Sequence, residues 1–150
     1  MLKRALFVAS STVLLLSISS AQAGKPGEVK AQSDLKFEAD DPKCLSYALE
    51  TGDPDKGPST FILKAVPQCE VPWHFHTAEE QLMVVSGEVR TEMEGMPART
   101  LEAGGFAMMP GKIKHQFSCQ SKRECAMFVS FDGKYDIVWV KGGSQPAPAK

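Results

Sequence analysis

Trp73-His74-Phe75-His76-Thr77-Ala78-Glu79-Glu80-Gln81-Leu82-Met83-Val84-Val85-Ser86-Gly87-Glu88 is the stretch that decides the fold. It holds one short strand, Trp73 to Thr77, entered through Pro72, and a second, Leu82 to Val85, that runs into a sharp Ser86-Gly87 turn before Glu88 to Met93. Outward from it the same rhythm continues. Phe61 to Val66 is a β run ending at Pro67, Ala98 to Glu102 lies between Gly95-Met96-Pro97 and Gly104-Gly105, and Phe106 to Met109 ends at Pro110-Gly111. Ile113 to Cys119 and Cys125 to Phe131 are expected to pair as a hairpin, with Tyr135 to Val140 closing the set. After the first two dozen residues no segment sustains a helical hydrophobic period over three turns. Short strands with turn residues at close spacing predict an all-β sandwich or barrel.

The chemistry lies in the same stretch. The chain has three histidines. His74 and His76 are one residue apart, and alternate side chains of a strand share a face, so both imidazoles point the same way. Glu80 follows four residues later and His115 sits on a later strand. Three imidazoles and a carboxylate suit a divalent first-row transition metal ion, Zn, Fe, Mn, Ni or Cu, with positions left open for water or a substrate.

These residues and their spacing resemble the cupin superfamily. Its first motif, G-x5-H-x-H-x3,4-E-x6-G, is matched by His74, His76, Glu80 and Gly87, with Gln68 in place of the opening glycine. Its second, G-x5-P-x-G-x2-H-x3-N, is matched by Gly104, Pro110 and His115; the glycine is shifted to Gly111, Lys112 stands at its usual place, and Cys119 replaces the asparagine. The resemblance runs over residues 57–131. It implies a single cupin β-barrel (a double-stranded β-helix, or jelly roll) with His74, His76, Glu80 and His115 holding one metal ion. It also implies a class that includes dioxygenases, oxidases, decarboxylases and sugar isomerases.

Strand parity extends the site. If His115 points inward, Phe117 and Cys119 follow it, and Leu82 and Val84 share a face with Glu80. With Met108 they are expected to form a mostly apolar pocket for a small molecule. Trp73 and Phe75 would then face outward, and an exposed aromatic pair there points to a second sheet or to the homodimer that the family resemblance implies. Met83, Met93, Met96, Met108 and Met109 read either as gap-filling core residues or as a thioether surface for Cu(I). Arg90 and Arg99 are candidates to grip an anionic substrate, and Glu79 is a candidate rim acid or base.

Residues 1–23 read as a signal peptide: Lys3 and Arg4, an apolar run from Ala5 to Leu16, and the small-residue site Ala21-Gln22-Ala23. Without them the formal charge moves from −1 to −3, since two of the 17 basic residues go and none of the 18 acidic ones. No dense basic run is present, so neither a nucleic acid nor, after cleavage, a membrane is an expected partner. Residues 24–56 form an arm with an extra strand at 43–50 lying outside the barrel of 57–140, and 141–150 is a tail expected to be disordered. A periplasmic or secreted location makes the cysteines candidates for disulfides. Cys119 and Cys125 flank a polar loop and favour each other, which leaves Cys44 with Cys69; four buried thiols are the alternative. The expected function is a metal-dependent enzyme acting on a small organic acid, or else a non-catalytic metal or small-molecule binding module.

Overall fold

The computed structural model describes residues 26–141. The leader at 1–23 and the tail from 142 onward lie outside the described residues. Among the described residues a 3-10 turn, Gln32–Asp34, precedes eleven strands. Among the described residues no helix is long and apolar enough to cross a membrane.

The strands form two sheets in which every pairing is antiparallel. The larger sheet runs, edge to edge, through β1 (Glu38–Ala39), β2 (Leu45–Gly52), β3 (Ser59–Ala65), β10 (Cys125–Phe131), β5 (Glu80–Ser86) and β8 (Phe106–Met109). The smaller runs through β11 (Val138–Trp139), β4 (Glu70–Phe75), β9 (His115–Cys119), β6 (Val89–Met93) and β7 (Arg99–Leu101). Alternate residues of the facing strands fill the space between them. Leu82 and Val84 come from β5, Met127 and Val129 from β10, Val89 from β6 and Phe117 from β9, and all are buried. From β3 onward the chain changes sheet at every step except β6 to β7, which is the winding of a jelly roll.

That winding corrects one expectation. β9 and β10 are not a hairpin: β9 pairs with β4 and β6, while β10 pairs with β3 and β5 in the opposite sheet. The Cys119–Cys125 disulfide is present, but it links the two sheets. Cys44–Cys69 likewise joins the chain before β2 to the chain before β4. Both bridges lie at one end of the sandwich, where the Cys119 N–H donates to the Cys69 carbonyl at 2.9 Å. Closing loops of 6 and 25 residues, each is worth about 2–4 kcal/mol on a chain-entropy basis. Gly87 belongs to this end too. Its φ of +87° turns β5 into β6, and a β-carbon there would meet Cys125 Sγ at 2.9 Å.

Other boundaries move. The extra strand is β2, which sits beside β3 as a full member of the larger sheet and buries Leu45 and Ala48. The strand expected at 135–140 shrinks to Val138–Trp139, because residues 132–137 are drawn away to the rim of the sandwich by the contacts described below. Trp73 is not an exposed aromatic. It is buried, since the β4–β9 register shifts between Val71 and His74, so simple alternation fails there. It faces a separate shallow groove with Glu70, Arg90, Glu92 and Gln116.

Candidate metal centre

Pro72 explains the placing of the first candidate ligand, His74. Having no N–H, it cannot donate to the β9 ladder, and the ladder breaks at this point. Its carbonyl instead accepts the Nδ1–H of His74 at 2.7 Å. His115 repeats the device directly opposite on β9: its Nδ1 donates to the Ile113 carbonyl at 3.0 Å, and the two histidines are cross-strand partners. The third, His76, lies just beyond β4, and its Nδ1 donates to the carbonyl of Asp136. With all three Nδ1 protons committed, each Nε2 carries a lone pair, the arrangement that orients an imidazole for a metal.

Glu80 comes from the other sheet, at the first position of β5. The four ligand atoms of His74, His76, Glu80 and His115 lie within 4.8 Å of one another, and all four residues are buried. Glu80 Oε2 stands 3.0 Å from His115 Nε2 and 3.2 Å from His76 Nε2. Neither Glu80 Oε2 nor His115 Nε2 has a hydrogen-bond partner. With the rings neutral both are acceptors, so the close approach is unfavourable unless a cation or a proton lies between them. The donor set therefore fits a transition metal ion well.

The cluster is electrostatically coupled. Burial, reinforced by the adjacent His115, lowers His74 to about 4, so it is a neutral imidazole at neutral pH. Burial alone would raise the Glu80 carboxyl, but the imidazoles of His115 and His76 outweigh it and hold it at about 2. Burial would lower His76, but its contact with the Glu80 carboxylate raises it.

The turn of the second motif is built around this centre. A β-carbon on Gly111 would collide with the Thr77 carbonyl oxygen, so glycine is required at 111 and the shift in the motif has a steric cause. Lys112 then takes the left-handed conformation, φ +69°, and donates its N–H to the His76 carbonyl at 2.7 Å. Gln68, standing where the first motif opens with glycine, is also left-handed, at φ +61°. Both motif positions keep a glycine-like backbone without a glycine.

His74, His76 and Glu80 line a cavity of about 180 Å³. Phe117 lines it as parity suggests. Leu82, Val84 and Cys119 point inward but are sealed in the core below it, with Cys119 held in its disulfide. Met108 is on the outer face, since β8 turns Met109 inward instead. The rest of the wall comes from segments that sequence reasoning did not connect to the site: Tyr47 on β2, Phe61 on β3, Phe131 on β10, and Tyr135 and Ile137 from the loop at 132–137. Arg90 pairs with Glu92 at 2.8 Å on β6, Arg99 lies on edge strand β7, and neither lines the cavity. Glu79 also lies outside it. Of the methionines, Met109 is core, Met93 packs against it, and Met83, Met96 and Met108 are exposed.

The domain family described as Cupin domain matches residues 61–131. The chain belongs to the cupin superfamily. None of the curated proteins matches it. Solved structures similar to this cupin include the DMSP lyase DddQ from Ruegeria pomeroyi DSS-3, at 20% identity and TM-score 0.60, over 78% of this chain and 62% of that one. An oxalate oxidase in complex with the substrate analogue glycolate is 28% identical at TM-score 0.53, over 61% of this chain and 52% of the other. An RmlC-like cupin from Shewanella frigidimarina NCIMB 400 is 16% identical at TM-score 0.60, over 71% and 91%. This cupin thus spans less than two thirds of the length of the first two.

Asp136 is the residue at this site that the sequence least announces. Its carboxylate accepts the Thr77 N–H at 2.7 Å and the Thr77 hydroxyl, which lowers its pKa and clamps the loop that presents its carbonyl to His76. Asp136→Ala is expected to lower metal affinity roughly tenfold by releasing that ring, as loss of an outer partner to a metal-binding histidine does. Competition against a chelating dye checks this.

Proposed function

We propose that this is an exported cupin that uses one divalent transition metal ion, Zn, Fe, Mn, Ni or Cu, to act on a small organic acid or comparable small molecule. One observation carries the reading: Nε2 atoms fixed by backbone carbonyls converge with the partnerless Glu80 Oε2 at the floor of a small cavity. His74, His76, Glu80 and His115 would hold the ion, which when bound supplies Lewis acidity or, for Fe, Mn or Cu, redox chemistry. The chain's own residues do the rest. Glu80 offsets part of the positive charge, and the carbonyls of Pro72, Ile113 and Asp136 keep the imidazoles aimed. Phe61, Phe117, Val129 and Phe131 exclude water. Tyr135 lines the same space, and burial, with the Asp40 and Glu80 carboxylates nearby, raises its pKa, so it is a protonated phenol able to donate to a bound oxygen. Similarity to structures described as a lyase and an oxidase supports an enzyme.

A second reading, a non-catalytic binding module, draws support from the cavity wall, which beyond the ligand set is largely aliphatic and aromatic. Incubating protein loaded with each of the five metals with a panel of small acids, while following oxygen uptake and product by mass spectrometry, separates the two. Turnover with one metal is the expected result. Tight ligand binding with no product under any metal rules out the enzyme reading.

The two disulfides support a periplasmic or secreted location, because such bridges persist in oxidising compartments. For the homodimer, the larger sheet offers a better surface than Trp73. On its outer face Ile62, Phe128, Met83 and Phe106 stand in register across β3, β10, β5 and β8. Three of the four are more than a third exposed, and an apolar row of this kind is a common mark of an interface. Met83→Lys is expected to halve the mass seen by light scattering. An unchanged mass contradicts pairing through this face.

A further inference from the structure

The charge of the cavity lining is one-sided. Among the described residues no Lys or Arg lines it. One wall is a cluster of four aromatic rings in which three pack around Phe61: Tyr47 at 5.8 Å between centroids and Phe131 at 6.0 Å, both edge to face, and Tyr135 tilted at 6.2 Å, with Phe131 and Tyr135 5.0 Å apart. This wall begins beside the ligands, since Phe131 lies 4.9 Å and Tyr135 5.5 Å from the His76 ring. Asp40 and Asp41 also line the cavity, and Asp40 is close enough to raise the pKa of both Tyr47 and Tyr135. Aromatic faces attract cations through their quadrupole, and uncompensated carboxylates add to that field while repelling anions. A volume of about 180 Å³ is close to that of a cavity that admits one benzene molecule, about 150 Å³, so the ligand has few heavy atoms.

We propose that the cavity selects a small carboxylate whose far end is a compact organic cation, the carboxylate facing His74, His76, Glu80 and His115 and the cation facing Tyr47, Phe61, Phe131 and Tyr135. This rests on the metal reading for the carboxylate end only. The aromatic and acidic wall is a property of the chain itself. It excludes acids with a second negative group at the far end, for which no cationic side chain in the cavity provides a partner.

Three probes of matched shape test the assignment: trimethylammonioacetate, 3,3-dimethylbutanoate and sulfoacetate, whose far ends carry a positive, zero and negative charge. Titration calorimetry on protein of measured metal content is expected to rank them in that order, with roughly tenfold between the first and second. Tyr135→Phe should keep the ranking and Tyr135→Leu should narrow it, while Asp40→Asn should raise sulfoacetate binding. Circular dichroism and metal content are measured on every variant. Metal-loaded protein that binds sulfoacetate as tightly as 3,3-dimethylbutanoate, or that binds none of the three at millimolar concentration, overturns the inference and leaves the metal reading intact. Protein that takes up no metal overturns the metal reading instead, and the carboxylate end of the assignment with it.

Discussion

A carboxylate and three imidazole lone pairs buried within 4.8 Å of one another form a cluster of acceptors with no proton donor of its own. All four residues are buried. Desolvated acceptors of this kind cost several kcal/mol unless a cation or a proton sits among them. The fold commits the ring protons elsewhere: three carbonyls, from Pro72, Ile113 and Asp136, hold the Nδ1 atoms. What remains is a set of electron pairs aimed at one point.

The sandwich has two ends with different tasks. At one, Cys44–Cys69 and Cys119–Cys125 join the sheets covalently. At the other, His74 and His115 from the smaller sheet meet Glu80 from the larger, so a bound ion would join the sheets there as well. β9 makes the relation plain, with His115 at its first position and Cys119 at its last. Four residues of strand put them about 13 Å apart. The covalent end can keep the sheets in register while the ligand end exchanges its contents.

Much of this was legible because strand parity and ligand chemistry are local. His74, His76 and Glu80 lie within seven residues, and the shared face of alternate positions survives even the irregularity at Pro72. The all-β class follows from such local rules, as does the convergence of His74, His76 and Glu80; the two cysteine pairings are those expected, although the hairpin argued for Cys119 and Cys125 is absent. The hairpin expected between β9 and β10 fails because a five-residue loop can either fold a strand back or carry it across to the facing sheet. Letters alone do not distinguish these. Met108 was misplaced for a related reason, since in a strand of four residues a one-position error in parity moves Met109 from surface to core. The far wall of the cavity was invisible because Tyr47, Phe61, Phe131 and Tyr135 come from four separated segments. Asp136 contributes to His76 through its backbone carbonyl, and no side-chain pattern advertises that role.

The central claim, that this buried cluster is a metal centre, is tested most directly by elemental analysis of the purified protein beside its His115→Ala variant. The account predicts close to one transition metal ion per chain in the parent protein and loss of that stoichiometric metal in a variant that remains folded. Full occupancy in the variant, or no uptake of Zn, Fe, Mn, Ni or Cu by the parent protein, would contradict it.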